Sequence, residues 1–373
     1  MNPLHRWACG LAFCLAWLCG TAGAQAPIRI GQTAGFTGPV AAGVKETTAG
    51  ARLVIDAVNQ AGGLNGQRIE LVSLDDKFEP ALAAENAQTL INQGVLALFL
   101  NRGTPHTQAI IPLLAPARIP LIAPSTGAMV LHAPLQPWVF NVRATYQREA
   151  ERAIRHLSLI GIERIALVRV DDSFGADGAA GALRGFEAVG GRPVLNATFD
   201  RSQPDLAPLI PKVVQANAQA VLFIGSASAV ADGIRLLRAA GSTAQAVTLS
   251  NNASAGFVKQ LGALARGTIV SQVFPYERSL ATPMVQEAMA RQKAAGGGDL
   301  TPSMLEGYAA AKVLVEALRR AGPQPTRERL KTALEGFRRV DIGGLELSFD
   351  ASDHTGLDYA DLSIIDEQGK FRR

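Results

Sequence analysis

Short apolar segments alternate with amphipathic stretches along most of the chain, and this alternation predicts strands separated by helices. Continuous apolar runs such as residues 95–100 favour strands that are covered on both faces, as in a parallel sheet. Amphipathic stretches at 49–59, 80–92 and 227–240 predict helices. The fold class indicated is α/β. Strands are predicted at residues 28–33, 68–74, 95–100, 119–123, 164–170, 194–199, 220–224, 246–250 and 268–274.

The same order of features occurs twice. In the first set a helix ends at Gly62-Gly63, a strand follows, and Pro80 opens the next helix. In the second set Gly190-Gly191 and Pro204 take the corresponding places. A Gly pair suits the end of a helix and a Pro suits its first turn. The repeat predicts two similar doubly wound lobes in tandem.

The last hundred residues break this repeat. Helices are predicted at 282–295, 301–321 and 326–336, followed by apolar segments at 345–349 and 362–365. Helices without matching strands cannot build a third lobe. We therefore expect them to pack back on the first two lobes, with the chain crossing between lobes more than once.

The N-terminus has the features of a signal peptide over residues 1–24. Arg6 is followed by a short apolar stretch at 7–18 and by a small-residue cleavage pattern that ends at Ala24. The alternative is a short membrane anchor. All three cysteines lie inside this segment, so the mature chain would have no disulfide, thiolate metal site or cysteine nucleophile. An exported location, most simply a bacterial periplasm, follows from the cleavable segment.

Composition and charge limit the kinds of molecule that this protein is expected to bind. The 373 residues leave room for about two domains. The formal charge is +4, from 36 basic and 32 acidic residues. These charges are scattered along the chain, so nucleic acid is not an expected partner.

Catalytic signatures are missing from the sequence. The four histidines after residue 24 show no metal-ligand spacing, and no H-E-x-x-H, G-x-S-x-G or Walker A motif occurs. The carboxylate pairs Asp75-Asp76 and Asp171-Asp172 follow predicted strands. Turn formation and helix capping explain them better than catalysis does. We expect no enzyme, metal or cofactor.

Polar loops at the carboxyl ends of the predicted strands are the features that indicate a ligand-binding site. Ligands of open α/β sheets bind at these ends. Hydroxyls and backbone N–H groups at helix starts form a neutral cradle for an anion such as a carboxylate, and simple helix capping is the alternative for each residue. The loops are Gly103-Thr104-Pro105 and Pro124-Ser125-Thr126-Gly127 in the first lobe, and Phe174, Gly225-Ser226-Ala227-Ser228 and Ser250-Asn251-Asn252 in the second.

An ordered set of motifs spans the chain beyond residue 24. It comprises Ile30-Gly31-Gln32, Thr37-Gly38-Pro39, Gly62-Gly63-Leu64-Asn65-Gly66, Ile119-Pro120-Leu121-Ile122-Ala123-Pro124, Asp171-Asp172-Ser173-Phe174-Gly175 and Gly307-Tyr308-Ala309-Ala310. In this order they resemble the periplasmic solute-binding proteins of branched-chain amino-acid-type ABC transporters, the Leu/Ile/Val-binding protein family.

The resemblance implies a type I binding protein with two Rossmann-like lobes and a three-strand hinge. The lobes would be 25–143 plus 275–344 and 144–274 plus 345–373. By position, Thr104 and Ser125, Thr126 and Gly127 would hold a ligand carboxylate from the first lobe. Phe174, Ser226 and Asn251 would face it from the second. Closure of the cleft would trap the solute and present it, from a monomer, to a membrane permease.

Two departures from the family bear on the ligand. The amino-acid binders of this family place an acidic residue after the strand that matches 246–250, where it pairs with the ligand ammonium. Here the stretch reads Ser250-Asn251-Asn252-Ala253. Small residues also stand near Gly43 and Ser226, where those binders have aromatic groups. An unpaired ammonium in a closed cleft is costly, so a carboxylate without an amine, an aromatic acid or an amide fits at least as well as an α-amino acid.

Three questions stay open from the residues alone. Arg102 and His106 either add positive charge to the cleft or face solvent. The same cleft serves a sensor for a membrane signalling partner as well as a transport receptor. A secreted α/β enzyme is the third alternative, with Asp171 or Asp172 as the candidate acid.

Overall fold

The computed structural model describes residues 26–373, and the predicted signal peptide lies outside the described residues. The strands are β1 Ile28–Ala34, β2 Ile69–Asp75, β3 Ala97–Phe99, β4 Leu121–Ile122, β5 Val139–Phe140, β6 Ile165–Val170, β7 Leu195–Phe199, β8 Ala220–Ile224, β9 Gln245–Thr248, β10 Ile269–Gln272, β11 Val340–Asp341, β12 Glu346–Leu347, β13 Asp361–Ile365 and β14 Phe371–Arg372. The α-helices are α1 Ala41–Gln60, α2 Pro80–Asn92, α3 Thr104–Ala117, α4 Tyr146–Leu159, α5 Ser173–Ala188, α6 Ile210–Gln215, α7 Ala227–Ala239, α8 Ala255–Leu261, α9 Pro283–Ala294, α10 Pro302–Ala321 and α11 Arg327–Glu335.

Two sheets repeat one topology. The first has the order β2-β1-β3-β4-β5 and is parallel throughout. The second has the order β14-β13-β10-β9-β8-β6-β7, in which β6 to β10 are parallel and repeat the first pattern. β13 and β14 add antiparallel strands at one edge. The predicted pair of doubly wound α/β lobes is therefore confirmed, in the 2-1-3-4-5 strand order.

The apolar runs became strands because both faces of each sheet are covered by helices. All five residues of β8 are fully buried, as expected for a central parallel strand. Every predicted strand is present within a few residues of its expected bounds. β5, only two residues long, was not predicted, because two residues show no periodicity.

Each lobe has its own hydrophobic core, and the chain passes between the cores three times. Ala144 belongs to the first core and Tyr146 to the second; Val270 belongs to the second and Val273 to the first. The helices α9, α10 and α11 contribute to the first core, so the predicted packing of the tail on the tandem lobes is found.

Core membership favours a third crossing further along the chain than the expected position near Gly344. Leu347, Phe349 and Leu357 belong to the first core, whereas Leu362 packs against the second. Phe349 is held there by the rings of Phe140 and Phe337. An alternating apolar segment does not reveal which of two cores it covers. From core membership we propose lobes of 26–143 plus 275–357 and 144–274 plus 358–373.

Helices α1 and α10 pack backbone to backbone in the first lobe. A Cβ at Gly307 would lie 1.7 Å from the Thr47 carbonyl oxygen, and one at Gly50 would lie 1.9 Å from the Met304 carbonyl oxygen. Glycine at both positions is what lets the two helix axes approach so closely. This packing fixes the start of α1, which lies beside the cleft.

Candidate functional site

A cavity of about 290 Å³ lies between the lobes, at the carboxyl ends of the parallel strands. Both lobes contribute to it, as the position of ligand sites in open α/β sheets predicts. Its lining comprises Pro39, Val40, Phe78, Arg102, Gly103, Thr104, Tyr146, Val170, Phe174, Phe199, Arg201, Ser202, Pro204, Ser226, Ser228, Ala229, Asp232 and Asn251.

Four of the predicted site residues line this cavity. Thr104 comes from the first lobe, and Phe174, Ser226 and Asn251 come from the second. Ser226 is also the N-cap of α7, where its hydroxyl accepts the N–H of Ala229 at 3.4 Å. Capping and cavity lining are therefore compatible uses of one residue here.

The other three predicted residues lie behind the cavity wall rather than in it. Ser125 accepts a hydrogen bond from Arg102 Nη1 at 3.4 Å, and the Thr126 hydroxyl pairs with the Thr104 hydroxyl at 2.8 Å. Gly127 accepts the N–H of Tyr146 at 2.8 Å through its carbonyl. These hydrogen bonds support Arg102, Thr104 and Tyr146, and direct contact of the three residues with a ligand stays a prediction.

Arg102 is a buried wall of the cavity and does not face solvent. The residue is 5% exposed and lies three residues after the end of β3. Its Nη2 donates to the Asn251 carbonyl across the cleft at 2.5 Å. A cationic group from the first lobe therefore reaches the backbone of the second lobe.

Asn251 follows β9, in the stretch of residues 250–253 that contains no acidic residue. Its side-chain amide donates to the Gly225 carbonyl at 2.9 Å and to Asn252 Oδ1 at 3.1 Å. The neutral side chain is thus committed to joining the ends of β8 and β9. It supplies no negative charge to the cavity.

His106 is also buried, and it does not add charge to the cleft as one reading of the sequence allowed. Its ring is fully buried and stacks on Phe78, with centroids 4.3 Å apart. Burial lowers the pKa of His106 to about 4, so the ring is neutral at physiological pH.

The Phe78 ring also contacts Arg201, and this contact spans the lobes. The Arg201 guanidinium lies 4.9 Å from the Phe78 ring centroid. Its charge is paired with Asp172, whose Oδ1 accepts the N–H groups of Phe174 and Gly175 at the start of α5. The predicted capping role of Asp172 is therefore found, with both carboxylate oxygens engaged.

A strained loop places Phe78 in the cleft. Lys77 and Phe78 both have positive φ, of 52° and 63°, a conformation that side chains with a Cβ seldom adopt. Asp75 Oδ1 accepts the Lys77 N–H at 2.9 Å, and Asp76 Oδ1 accepts the Phe78 N–H at 2.9 Å. Burial raises the pKa of Asp76 to about 6. The Asp75-Asp76 pair therefore shapes a turn, as expected from the sequence.

Aromatic rings form much of the remaining wall. Tyr146 at the start of α4 packs against Phe174, with centroids 4.7 Å apart, and Phe199 ends β7. Burial raises the pKa of Tyr146, so its hydroxyl stays protonated. The cavity thus combines an apolar aromatic surface with one buried guanidinium.

A buried ion cluster lies beneath the cavity at the first crossing. Arg143 pairs with Glu149, and its Nη2 donates to Ser250 Oγ at 2.8 Å. Glu149 Oε2 accepts the N–H of Ser250 at 2.9 Å and the hydroxyl of Ser271. Burial lowers the pKa of Arg143, but Glu149, Tyr146 and Glu306 together outweigh burial and raise that pKa above its ordinary value. The cluster holds the loop that carries Asn251.

Most of the cavity's charged and aromatic lining was not predicted from the sequence, including Phe78, Tyr146, Phe199 and Arg201. Arg201 and Phe199 stand at the end of β7, so applying the strand-end rule to every strand would have found them. Tyr146 and Phe78 carry no such signal. Within residues 26–373, no cluster of three metal-ligating side chains occurs, and no helix is long and apolar enough to cross a membrane.

Comparison with known proteins agrees with this architecture. The profile of the periplasmic binding protein family matches residues 27–370. The Leu/Ile/Val-binding protein of Escherichia coli K12 is 22% identical over 284 residues, which cover 76% of this chain and 77% of that protein.

Several solved structures are also similar to this chain. A substrate-binding periplasmic protein from Ralstonia solanacearum superposes with a TM-score of 0.85 at 32% identity, covering 92% of this chain and 99% of that one. A branched-chain amino acid ABC transporter protein from Thermus thermophilus, solved with bound valine, shares the fold with a TM-score of 0.82 at 19% identity and covers 94% of this chain and 95% of that one. These matches run almost end to end. The chain therefore belongs to the periplasmic binding protein family, as a type I member of its Leu/Ile/Val-binding group, a family of binding proteins rather than enzymes.

Proposed function

We propose that this protein is the solute receptor of an ABC importer and that it captures a small carboxylate-bearing molecule by closure of the cleft. The observation that carries the proposal is the cavity of about 290 Å³ built from both lobes, whose lining includes a buried arginine and aromatic rings. A concave, largely apolar site with a few placed polar groups is typical of small-molecule binding.

Capture requires that ligand contacts come from both lobes. Thr104 and Arg102 contact the solute from the first lobe, and Phe174, Ser226 and Asn251 contact it from the second. Ser125, Thr126 and Gly127 support them from behind. Rotation about the three crossings closes the lobes over the ligand, in the manner of hinge closure.

The closed form is held by several direct contacts between the lobes. Ser173 Oγ donates to Gln108 Oε1 at 2.6 Å, and Arg102 donates to Asn251. Glu46 on α1 accepts the N–H groups of Ala255 and Gly256 at the start of α8. Because closure aligns surfaces of both lobes, a membrane permease can distinguish the loaded receptor from the empty one.

The location of the receptor follows from its N-terminus. Removal of residues 1–24 as a signal peptide places the mature chain in the periplasm, where it works as a monomer beside the permease. Mass spectrometry of the protein isolated from a periplasmic extract would test this. An N-terminus at Gln25 is the expected result, and retention of residues 1–24 would contradict it.

The binding function is tested by thermal unfolding of the mature protein against a solute library. Ligand carried through purification is first removed by unfolding and refolding. A ligand at 100-fold its Kd adds about 2.7 kcal/mol to the free energy of unfolding, which raises the Tm by several degrees in a chain of this size. Amino acids, aliphatic and aromatic carboxylates, dicarboxylates and amides form the library. A library without a single stabilising member would contradict the proposal.

A further inference from the structure

We propose that Arg102 is the anion-binding group of the cavity and that the ligand is a monocarboxylate without an α-ammonium, carrying an apolar and preferably aromatic body. This inference rests on the proposed function and names its ligand class. It departs from the neutral hydroxyl cradle expected from the sequence.

The first step is the charge balance of Arg102. Arg102 is only 5% exposed, so water screens its charge poorly. Among residues 26–373, no carboxylate oxygen lies within 4.0 Å of its guanidinium to balance that charge. The other buried arginine, Arg143, has Glu149 as its partner. A buried charge without a counter-ion is costly. A bound carboxylate removes that cost at Arg102.

The second step is the donor count. The guanidinium has five N–H groups, and the protein uses one for the Asn251 carbonyl and one, at 3.4 Å, for Ser125 Oγ. Three donors stay available on a residue that lines the cavity. A planar carboxylate accepts two such N–H groups in parallel.

The third step is the space around the guanidinium. A Cβ built on Gly43 would lie 3.5 Å from Arg102 Nη2 and 3.7 Å from Nη1. A side chain longer than one methyl at position 43 would therefore occupy the place of the guanidinium. The small residue near Gly43, noted in the sequence as a departure from the family, is explained by the presence of Arg102.

The fourth step concerns a ligand ammonium, which would need a free carboxylate. Asp172 has both oxygens engaged by Arg201 and by the N-terminus of α5. Asp232 lines the rim with a half-exposed side chain and pairs with Arg235. Asn251 is neutral. The described residues thus offer no unpaired buried acid to an α-ammonium.

The fifth step is the size and surface of the remaining space. A cavity of about 150 Å³ lined by apolar side chains accommodates benzene, and this one is about 290 Å³. Phe78, Tyr146, Phe174 and Phe199 line it. A phenyl ring joined by a short chain to a carboxylate fits the volume, the aromatic rings and Arg102, the lining arginine that has no acidic partner, whereas Arg201 is paired with Asp172.

Two matched sets of ligands test the inference by isothermal titration calorimetry on the refolded mature protein. The first set is 3-phenylpropanoate, 3-phenylpropanamide and phenylalanine; the second is 4-methylpentanoate, 4-methylpentanamide and leucine. Within each set the body is constant while the head loses its charge or gains an ammonium. We expect the carboxylate to bind at least about 30-fold more tightly than the amide or the amino acid, and phenylpropanoate more tightly than methylpentanoate.

Two variants assign the effect to Arg102. Arg102→Gln should weaken binding of the carboxylate about 100-fold and leave binding of the amide within about threefold. Its Tm without ligand should equal or exceed that of the wild type, because an unpaired buried charge is removed. Arg52→Gln, an exposed change on α1 of the same lobe, is the control and should match the wild type.

The outcomes separate this inference from the proposed function. Tighter binding of phenylalanine or leucine than of their deaminated analogues overturns the inference and keeps the receptor. Unchanged affinity for the carboxylate in Arg102→Gln overturns the assignment to Arg102. Failure of all six compounds overturns the ligand class, and the receptor itself fails only if the wider library also gives no binding.

Discussion

Three arginines around the cleft differ in their burial and in whether an acidic side chain pairs with them. Arg143 is buried with an acidic partner, Glu149. Arg201 is partly buried, paired with Asp172 and laid on Phe78. Arg102 is buried with hydrogen bonds but without an acidic partner among the described residues. Because only the last leaves charge unbalanced, it is the one available to an anionic ligand.

Removal of the Arg143 partner should destabilise the protein. Glu149→Gln leaves the buried guanidinium with only the more distant Glu306, at 3.9 Å, and also removes the carboxylate acceptor of Ser250 and Ser271. Loss of one member of a buried pair costs about 3–5 kcal/mol. Urea unfolding measures the change. Glu151→Gln on the same helix is the control; it breaks the pairs with the exposed Arg155 and Arg184 and should cost less than about 1 kcal/mol. Equal effects of the two substitutions would contradict this account.

The buried imidazole of His106 predicts a loss of stability in mild acid. Burial lowers its pKa in the folded protein to about 4, against 6.5 in the unfolded chain. Between these values the unfolded state binds more protons, so stability falls as the pH falls from about 6.5 to about 4. Asp76, whose pKa is raised to about 6, acts in the opposite direction, so the His106 contribution is isolated by comparing wild type with His106→Phe.

The difference in stability between the two proteins should change with pH in one direction. The stability of the wild type should decline, relative to His106→Phe, by about 1.4 kcal/mol per pH unit within that window. Urea unfolding at pH 7, 6, 5 and 4.5 gives the values. Parallel curves for the two proteins would show that His106 takes up its proton equally in the folded and unfolded states.

At the scale of elements, the cleft depends on helices that meet without side chains between them. The contact of α1 with α10 passes through Gly50 and Gly307, where a Cβ would overlap a carbonyl oxygen. The start of α1 carries Gly43 beside Arg102, and Glu46, which joins α8 of the other lobe. The placement of α1 against α10 is therefore transmitted to the site.

Gly307→Ala should test this packing. Its Cβ would lie 1.7 Å from the Thr47 carbonyl oxygen, and overpacking of this kind costs about 1–3 kcal/mol. Gly298→Ala, in a loop where a Cβ meets no atom within 4 Å, is the control and should change stability by less than about 0.5 kcal/mol. Chemical denaturation measures both. Equal stability of the two variants would mean that α10 can slide on α1 at little cost.

At the scale of the whole molecule, the meeting of the two lobes beside the cleft brings groups from distant parts of the chain into contact. A Cβ at Gly256 on α8 would lie 2.2 Å from the Ala42 Cβ on α1. The two residues belong to different lobes, so this contact exists only when the lobes are together. Gly256 lies outside both hydrophobic cores.

Gly256→Leu should therefore hold the lobes apart while each lobe stays folded. We expect ligand affinity to fall about tenfold, from the overpacking of the closed form, and the ligand-dependent decrease in the radius of gyration to be lost in small-angle X-ray scattering. Gln260→Leu, an exposed position on the same helix, is the control. A large fall in the Tm of the unliganded variant with normal affinity would instead make Gly256 a packing residue of one lobe.

The amino-acid sequence by itself determined the elements, the tandem repeat, the family and the edge of the sheets where the site lies. Those properties depend on local periodicity, on turn residues and on the carboxyl-end rule, all of which are encoded in short segments. Four of seven predicted site residues, Thr104, Phe174, Ser226 and Asn251, line the cavity for this reason.

Only the tertiary structure decided which charged side chains have a partner and which hydrophobic core each C-terminal segment joins. Arg102 and Arg143 look alike in sequence, yet a carboxylate from α4 reaches one and no described carboxylate reaches the other. Likewise, the alternation around Phe349 fits either lobe until Phe140 and Phe337 are seen beside it. Charge balance and core membership depend on contacts between residues far apart in the chain, and a local pattern carries no information about such partners.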